Sequence, residues 1–209
     1  MRQFIALCAL VMLLVAPSIS VSASHPLLES VRPLSMAGID DETGQAVFGN
    51  ICTVSSINEK RRLWLTAAHC VEGTEAKYIL GEQILVVMRD VTNDIAVLST
   101  PLASLPALKL AQAGPKVEDR VRVTGHPFGY PYPLVTFGWV SSPYVVLSPE
   151  LPPFMLIQVT GAPGNSGSPI VNTKNEIVSV LQISWGRSFS PMLGGATFQK
   201  LVQYASYWQ

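Results

Sequence analysis

Beyond residue 45 the chain is a series of short apolar runs separated by turn-forming residues. Ile84–Met88 and Ile95–Leu98 have strand length and are rich in β-branched side chains. Arg120–Val123 alternates polar with apolar, as a strand with one face in a core should, and Phe154–Val159 follows Pro153 as a further strand candidate. Ile170-Val171 and Ile177–Ile183 flank Asn172-Thr173-Lys174-Asn175, a hairpin turn by its chemistry. Helical spacing is confined to the end, where Phe198, Leu201, Val202, Ala205 and Trp208 fall near a 3.6-residue period. Pro101–Pro115 is Pro-flanked and lacks alternation, which makes it the expected boundary between two halves. The pattern predicts an all-β protein of two small barrels, residues 45–110 and 111–209, the second closing with a short C-terminal helix.

The N-terminus follows a different pattern. Arg2 precedes Phe4–Ala16, an apolar run without a charge and too short for the roughly 18 residues that a membrane span needs. Val21-Ser22-Ala23 then presents small residues, so residues 1–23 read as a secretory signal peptide cleaved after Ala23, with no stable membrane anchor. Residues 24–44 are polar and irregular, an expected N-terminal arm or pro-segment. Export to the periplasm or the medium makes disulfides possible. Cys8 leaves with the signal, and Cys52 and Cys70 remain, either bridged or as two buried thiols.

Composition narrows the function. Charged residues are 13% of the chain, about half the usual ~25%. Lys plus Arg number 14 and Asp plus Glu number 14, with no basic run, which argues against a nucleic-acid or anionic-membrane partner held by electrostatics. An apolar content of 48% excludes a disordered chain, and 15 Gly with 16 Pro fit a turn-rich all-β fold. His25, His69 and His126 are scattered without ligand spacing, so zinc is not indicated, and no metal or organic cofactor is expected.

Three segments carry candidate chemistry: Leu65-Thr66-Ala67-Ala68-His69-Cys70, Asn93-Asp94-Ile95-Ala96-Val97-Leu98, and Gly161-Ala162-Pro163-Gly164-Asn165-Ser166-Gly167-Ser168-Pro169. Taken singly, each has a plain reading as a packed histidine, a strand-entry acid or a glycine-rich loop. Together they supply what a serine nucleophile needs. An imidazole takes its proton, a carboxylate orients the imidazole, and small residues around the serine let backbone N–H groups converge. No histidine follows His126, and position 168 is serine, so neither the order nor the G-x-S-x-G elbow of α/β-hydrolases is met. The order His, Asp, Ser is the chymotrypsin order.

TAAHC around His69, NDIAVL around Asp94 and GNSGSP around Ser166 resemble the signatures of trypsin-like, chymotrypsin-fold serine proteases. Leu108-Lys109-Leu110, Gly125-His126-Pro127-Phe128-Gly129 and Val135–Ser141 are similar to the HtrA/Deg protease domain, and GNSGSP also to secreted glutamyl endopeptidases. The resemblance runs from about Ala46 to Ile183. It implies a double β-barrel with His69 as general base and acid, Asp94 as its orienting carboxylate and Ser166 as nucleophile. Backbone N–H groups of Gly164 and Ser166 would form the oxyanion hole. Asp90, in Met-Arg-Asp-Val, is the nearest rival acid but lacks the family pattern.

The departures are informative too. Asn165 stands where pancreatic-type enzymes pair an Asp with a new N-terminus, so that activation switch is not expected. Thr160 stands where trypsin-like enzymes carry a pocket Asp, and Val178–Gln182 lacks the pocket histidine of glutamyl enzymes. Thr160 and Leu181 are therefore the expected specificity residues, for a small or apolar side chain before the scissile bond. His126 reads mainly as loop structure. The chain ends at Gln209, which leaves no PDZ domain, and a monomer acting on peptides or proteins is expected. The rival is a catalytically silent or latent binding protein on the same fold.

Overall fold

The computed structural model describes residues 25–39, 43, 46–184 and 190–209; the expected signal peptide lies outside the described residues. Thirteen strands account for about half of these residues. In the first half these are β1 (Val31–Ile39), β2 (Ala46–Asn58), β3 (Leu63–Thr66), β4 (Lys77–Ile79), β5 (Glu82–Gln83), β6 (Leu85–Asp90) and β7 (Ile95–Ser99). The second half holds β8 (Arg120–Gly125), β9 (Leu134–Val145), β10 (Phe154–Gly161), β11 (Pro169–Val171), β12 (Ile177–Ser184) and β13 (Ser190–Ala196). The first seven form one sheet in the order β5-β4-β1-β2-β3-β7-β6, and the last six close a barrel, β10-β13-β12-β11-β8-β9. The chain is all-β in the chymotrypsin-like, two-barrel manner, with antiparallel pairing in every ladder.

One expectation needs correction, and the short C-terminal helix is present but shorter than its apolar spacing. Part of the N-terminal arm is regular: a helical turn, α1 (Pro26–Glu29), leads into β1, which pairs with β2 along its length from Val31↔Ser55 to Ile39↔Ala46. Pro33 and the absence of alternation in VRPLSMAGI hid this strand. At the other end the apolar spacing does not make one helix. α2 (Phe198–Val202) stops, and a 3-10 turn at Ala205–Trp208 follows. Tyr204, at φ −105° and ψ 13°, separates them.

The two halves share a core. Ile57, Leu63, Leu65 and Val97 from the first sheet pack with Val171, Ile177 and Val180 from the barrel, and Leu27 and Leu201 fill in from the two ends of the chain. Burial of a side chain this size contributes about 1.5–3 kcal/mol, so this seam holds the halves in fixed register. Separate clusters sit within each half, around Trp64 in the first and Met155, Ile157 and Leu193 in the second. Trp64 is fully buried and donates its indole N–H to Thr100 Oγ1 at 3.0 Å. The 101–115 connection crosses the seam, with Leu110 bridged to Ile177.

Candidate active site

His69 lies in a 3-10 turn, Ala68–Val71, that begins just after β3. β3 is buried throughout, between β2 and β7, so the turn is delivered from a rigid element. Cys70, next to His69, is joined to Cys52 on β2. The ligand atoms of Cys52, His69 and Cys70 lie within 4.8 Å of one another, but both sulfurs are in the disulfide and offer no thiolate to a metal.

Asp94 sits at the mouth of β7 in left-handed backbone, φ 49°, a conformation that Asp tolerates better than most residues. Its Oδ1 accepts the His69 backbone N–H at 2.8 Å and its Oδ2 is 2.8 Å from His69 Nδ1. One carboxylate thus fixes both the main chain and the ring of the histidine. The imidazole is 41% exposed. Asp90 does not compete for the histidine. Its Oδ1 accepts the Asn93 N–H at 2.9 Å, and Oδ2 accepts from Asn93 Nδ2 at 2.5 Å and from the Tyr204 hydroxyl. Burial works to raise the Asp90 carboxyl, yet the donors from Tyr204 and Asn93 hold it below its ordinary value. Burial, then the bond to Asp90 and its charge, pushes the Tyr204 phenol up to about 12. Asp90 therefore fastens the acid-bearing turn to the C-terminal segment.

Ser166 lies between β10 and β11 in a turn tied to the first half. Thr53 on β2 donates its N–H to Ser166 O at 2.8 Å and its hydroxyl to Gly164 O at 2.9 Å, and accepts the His126 N–H at 2.9 Å. Two glycines in this turn are required. Gly164 has φ +94°, and a Cβ there would stand 2.4 Å from His126 O; Gly167 has φ +81°, and a Cβ there would stand 2.1 Å from Thr66 Oγ1. The peptide orientations follow from their carbonyls, since a trans peptide points its C=O and N–H in opposite directions. Pro163 O is held by the Phe128 N–H at 2.6 Å and Asn165 O by the Ser168 N–H at 2.9 Å. The N–H groups of Gly164 and Ser166 are thereby turned away from both anchors.

Sequence reasoning missed Thr53, Phe128 and Gln182. Gln182 on β12 donates Nε2 to Asn93 O at 2.5 Å and to Asp94 O at 3.0 Å, a further tie between halves. Phe128 and Gln182 lie in segments the sequence singles out, but their bonding partners lie far apart along the chain and no local pattern marks those roles. His126 is loop structure with a purpose: it is 1% exposed, its Nδ1 bonds Tyr130 O at 2.8 Å, and its buried Nε2 has no partner among the described residues. Burial lowers its pKa, the Tyr130 carbonyl raises it, and Arg32 lowers it further.

Of the two expected specificity residues, the structure puts Thr160 in a small apolar pocket with Pro127, Leu134, Thr136, Gly161 and Ala162, about 100 Å³ in volume. Leu181 is elsewhere, in the barrel core, where its backbone bonds Gly167 and Ser168. Residues 177–181 are all buried, Val178 and Leu181 in the barrel core and Ile177 and Val180 in the seam, so this stretch of β12 turns no side chain to the pocket.

Comparison with known proteins bears on the fold and the family. A 101-residue stretch is 38% identical to a probable periplasmic serine endoprotease, DegP-like, of Hahella chejuensis, covering 47% of this chain and 21% of that protein. A similarly named protein of Halomonas elongata is 32% identical over 123 residues, 56% of this chain and 26% of its own length. The chain thus matches about a quarter of the length of these curated relatives. Among solved structures, the HtrA-type protease AlgW with decapeptide superposes with a TM-score of 0.70 at 18% identity, over 85% of this chain and 66% of that one. The Rv3671c protease from M. tuberculosis, active form, gives 0.66 at 19%, over 86% and 81%. These two likenesses are of fold. The family model for the trypsin-like peptidase domain matches residues 51–180, from β2 through β12 and across all three motifs, so the chain belongs to the trypsin-like peptidase family.

Proposed function

We propose that the protein is a periplasmic or secreted serine endopeptidase in which His69, Asp94 and Ser166 act as a triad. The observation that carries this reading is the double grip of Asp94 on His69, at 2.8 Å to the backbone N–H and 2.8 Å to Nδ1. A carboxylate held on Nδ1 keeps that proton in place, leaves Nε2 as the base and stabilises the imidazolium once formed. Ser166 Oγ then attacks the peptide carbonyl while His69 Nε2 takes its proton. The C–N bond breaks as the imidazolium protonates the leaving amine, giving an acyl-enzyme. Water, deprotonated by the same imidazole, hydrolyses the ester and returns the proton to Ser166. The N–H groups of Gly164 and Ser166 receive the oxyanion in both halves of the cycle.

The pocket at Thr160 has no carboxylate among its lining residues, which supports a small apolar side chain before the scissile bond and not Lys or Arg. The relatives named periplasmic support the location, and no helix among the described residues is long and apolar enough to cross a membrane. A fluorophosphonate probe tests the reading together with a peptide library. Labelling is expected at Ser166, with cleavage abolished in Ser166→Ala and cuts after small apolar residues. A folded protein that neither labels nor cleaves, before or after limited proteolysis of residues 24–44, would establish the silent binding protein instead.

A further inference from the structure

The outer face of the second barrel departs from the rule that a half-buried strand turns polar residues to water. On β9, Phe137 is 73% exposed and Trp139 51% exposed, with Gly138 buried between them. Their partners across the ladder are cationic: Arg120 on β8 stands opposite Trp139, and Arg122 stands opposite Phe137. Together with Val121 and Thr173 these residues line a recess of about 470 Å³, within the size range of ligand sites. No carboxylate lines the recess, and neither arginine enters an ion pair among the described residues.

We propose that this recess docks an extended polypeptide segment in which a carboxylate neighbours a large apolar side chain, a segment of a protein substrate away from the scissile bond. The assignment rests on the protease reading for its purpose, though the binding itself does not require catalysis. Charge complementarity selects the occupant. Two guanidinium groups without an anionic partner attract a carboxylate, and guanidinium planes receive it through paired N–H donors. Arg122 is already oriented, because its Nη2 donates to Asn172 O at 3.1 Å and Thr173 O at 3.2 Å, so little freedom is lost when its remaining donors engage. Arg120 is exposed and is the adaptable member of the pair. The exposed rings of Phe137 and Trp139 supply apolar surface that an incoming chain desolvates, the kind of anchor that interface hot spots are built from. A concave recess receives a chain, whereas a membrane is met by protruding residues.

Binding is measured by Trp fluorescence on the full-length mature chain carrying Ser166→Ala. The probes are a 12-residue peptide alternating Glu with Phe and Leu, the same peptide with Gln for Glu, and its Lys counterpart. The acidic peptide alone is expected to bind. Arg120→Glu should weaken it about tenfold or more and shift preference toward the Lys peptide, and Trp139→Ser should weaken it without changing the charge preference. In the active protein, Arg120→Glu should raise KM for a substrate carrying the acidic segment and leave kcat/KM for a short peptide lacking it unchanged. Equal binding of the Glu and Gln peptides would overturn the proposal. So would binding of vesicles containing anionic phospholipid in place of peptide, self-association lost in Trp139→Ser, or no binding at all. Peptide binding in a protein that never labels with fluorophosphonate would leave the docking site standing and overturn the protease reading alone.

Discussion

Thr53→Val removes one oxygen and keeps the shape of a fully buried side chain. That oxygen accepts the His126 N–H and donates to Gly164 O, both at 2.9 Å, so it is the joint between the first sheet, the 126–130 turn and the turn bearing Ser166. In the variant the buried His126 N–H and the half-buried Gly164 O lose this partner at a cost of about 1–3 kcal/mol each, the lower end applying to Gly164. The sum, about 2–6 kcal/mol, is a large part of the 5–15 kcal/mol by which domains are usually stable. Thr53→Ser retains the hydroxyl, loses a methyl and should cost only about 1 kcal/mol. Stability is read by urea unfolding in a Ser166→Ala background, which prevents self-digestion. Activity is read as single-turnover acylation in the otherwise wild-type protein. Thr53→Val should also slow acylation about tenfold, because the Gly164–Asn165 peptide, which joins the two peptides that carry the oxyanion donors, loses its anchor to Thr53, and a whole oxyanion donor is worth ~10²–10³. If Thr53→Val matches Thr53→Ser in both stability and rate, the joint carries no load and the reasoning fails.

Three further outcomes follow from the same geometry. Gly164→Ala places a methyl 2.4 Å from His126 O at φ +94°, so kcat should fall about 10²–10³-fold with a smaller change in KM; unchanged kcat would remove Gly164 from the oxyanion hole. His126 is buried with its pKa lowered from 6.5, chiefly by burial, so the unfolded chain takes up a proton before the folded one does. Stability attributable to it is therefore present above about pH 6.5 and lost as pH falls below, and urea midpoints at pH 7.5 and 5.0 should converge in His126→Gln relative to wild type. Replacing Cys52 and Cys70 by Ala opens a loop with a sequence separation of 18 and should cost about 3 kcal/mol in thermal or urea unfolding. Because Asp94 holds His69 by separate bonds, the folded variant should retain its cleavage rate at 25 °C.

The strands that alternation or β-branching marks, such as Arg120–Val123 and Ile95–Leu98, could be read directly, because one-dimensional pattern reflects which side of a strand meets the core. So could the turn at Asn172–Asn175 and the three motif segments, whose chemistry is compact enough to be written in six to nine consecutive residues. β1 could not, since Pro33 and mixed polarity erase its period and it is held by β2 over its whole length. The C-terminal apolar spacing runs past the helix, because the backbone leaves the helical region at Tyr204, whose hydroxyl bonds Asp90.

The sequence by itself determined the residue types of the candidate site, their order, and the pair of sulfurs beside the histidine. Only the tertiary structure decided how they are held: Thr53 bonded to Ser166 and Gly164 across more than a hundred residues, and Gln182 bonded to the carbonyls of Asn93 and Asp94. It also decided that Asp90 serves Tyr204 and not His69, that Leu181 faces the barrel core and not the pocket, and that two arginines meet two aromatic rings on the barrel's outer wall. The physical reason is common to all of them. A hydrogen bond or a cross-strand pair needs two groups in register, and register between distant segments is set by which faces the shared core buries, information that is spread over the whole chain.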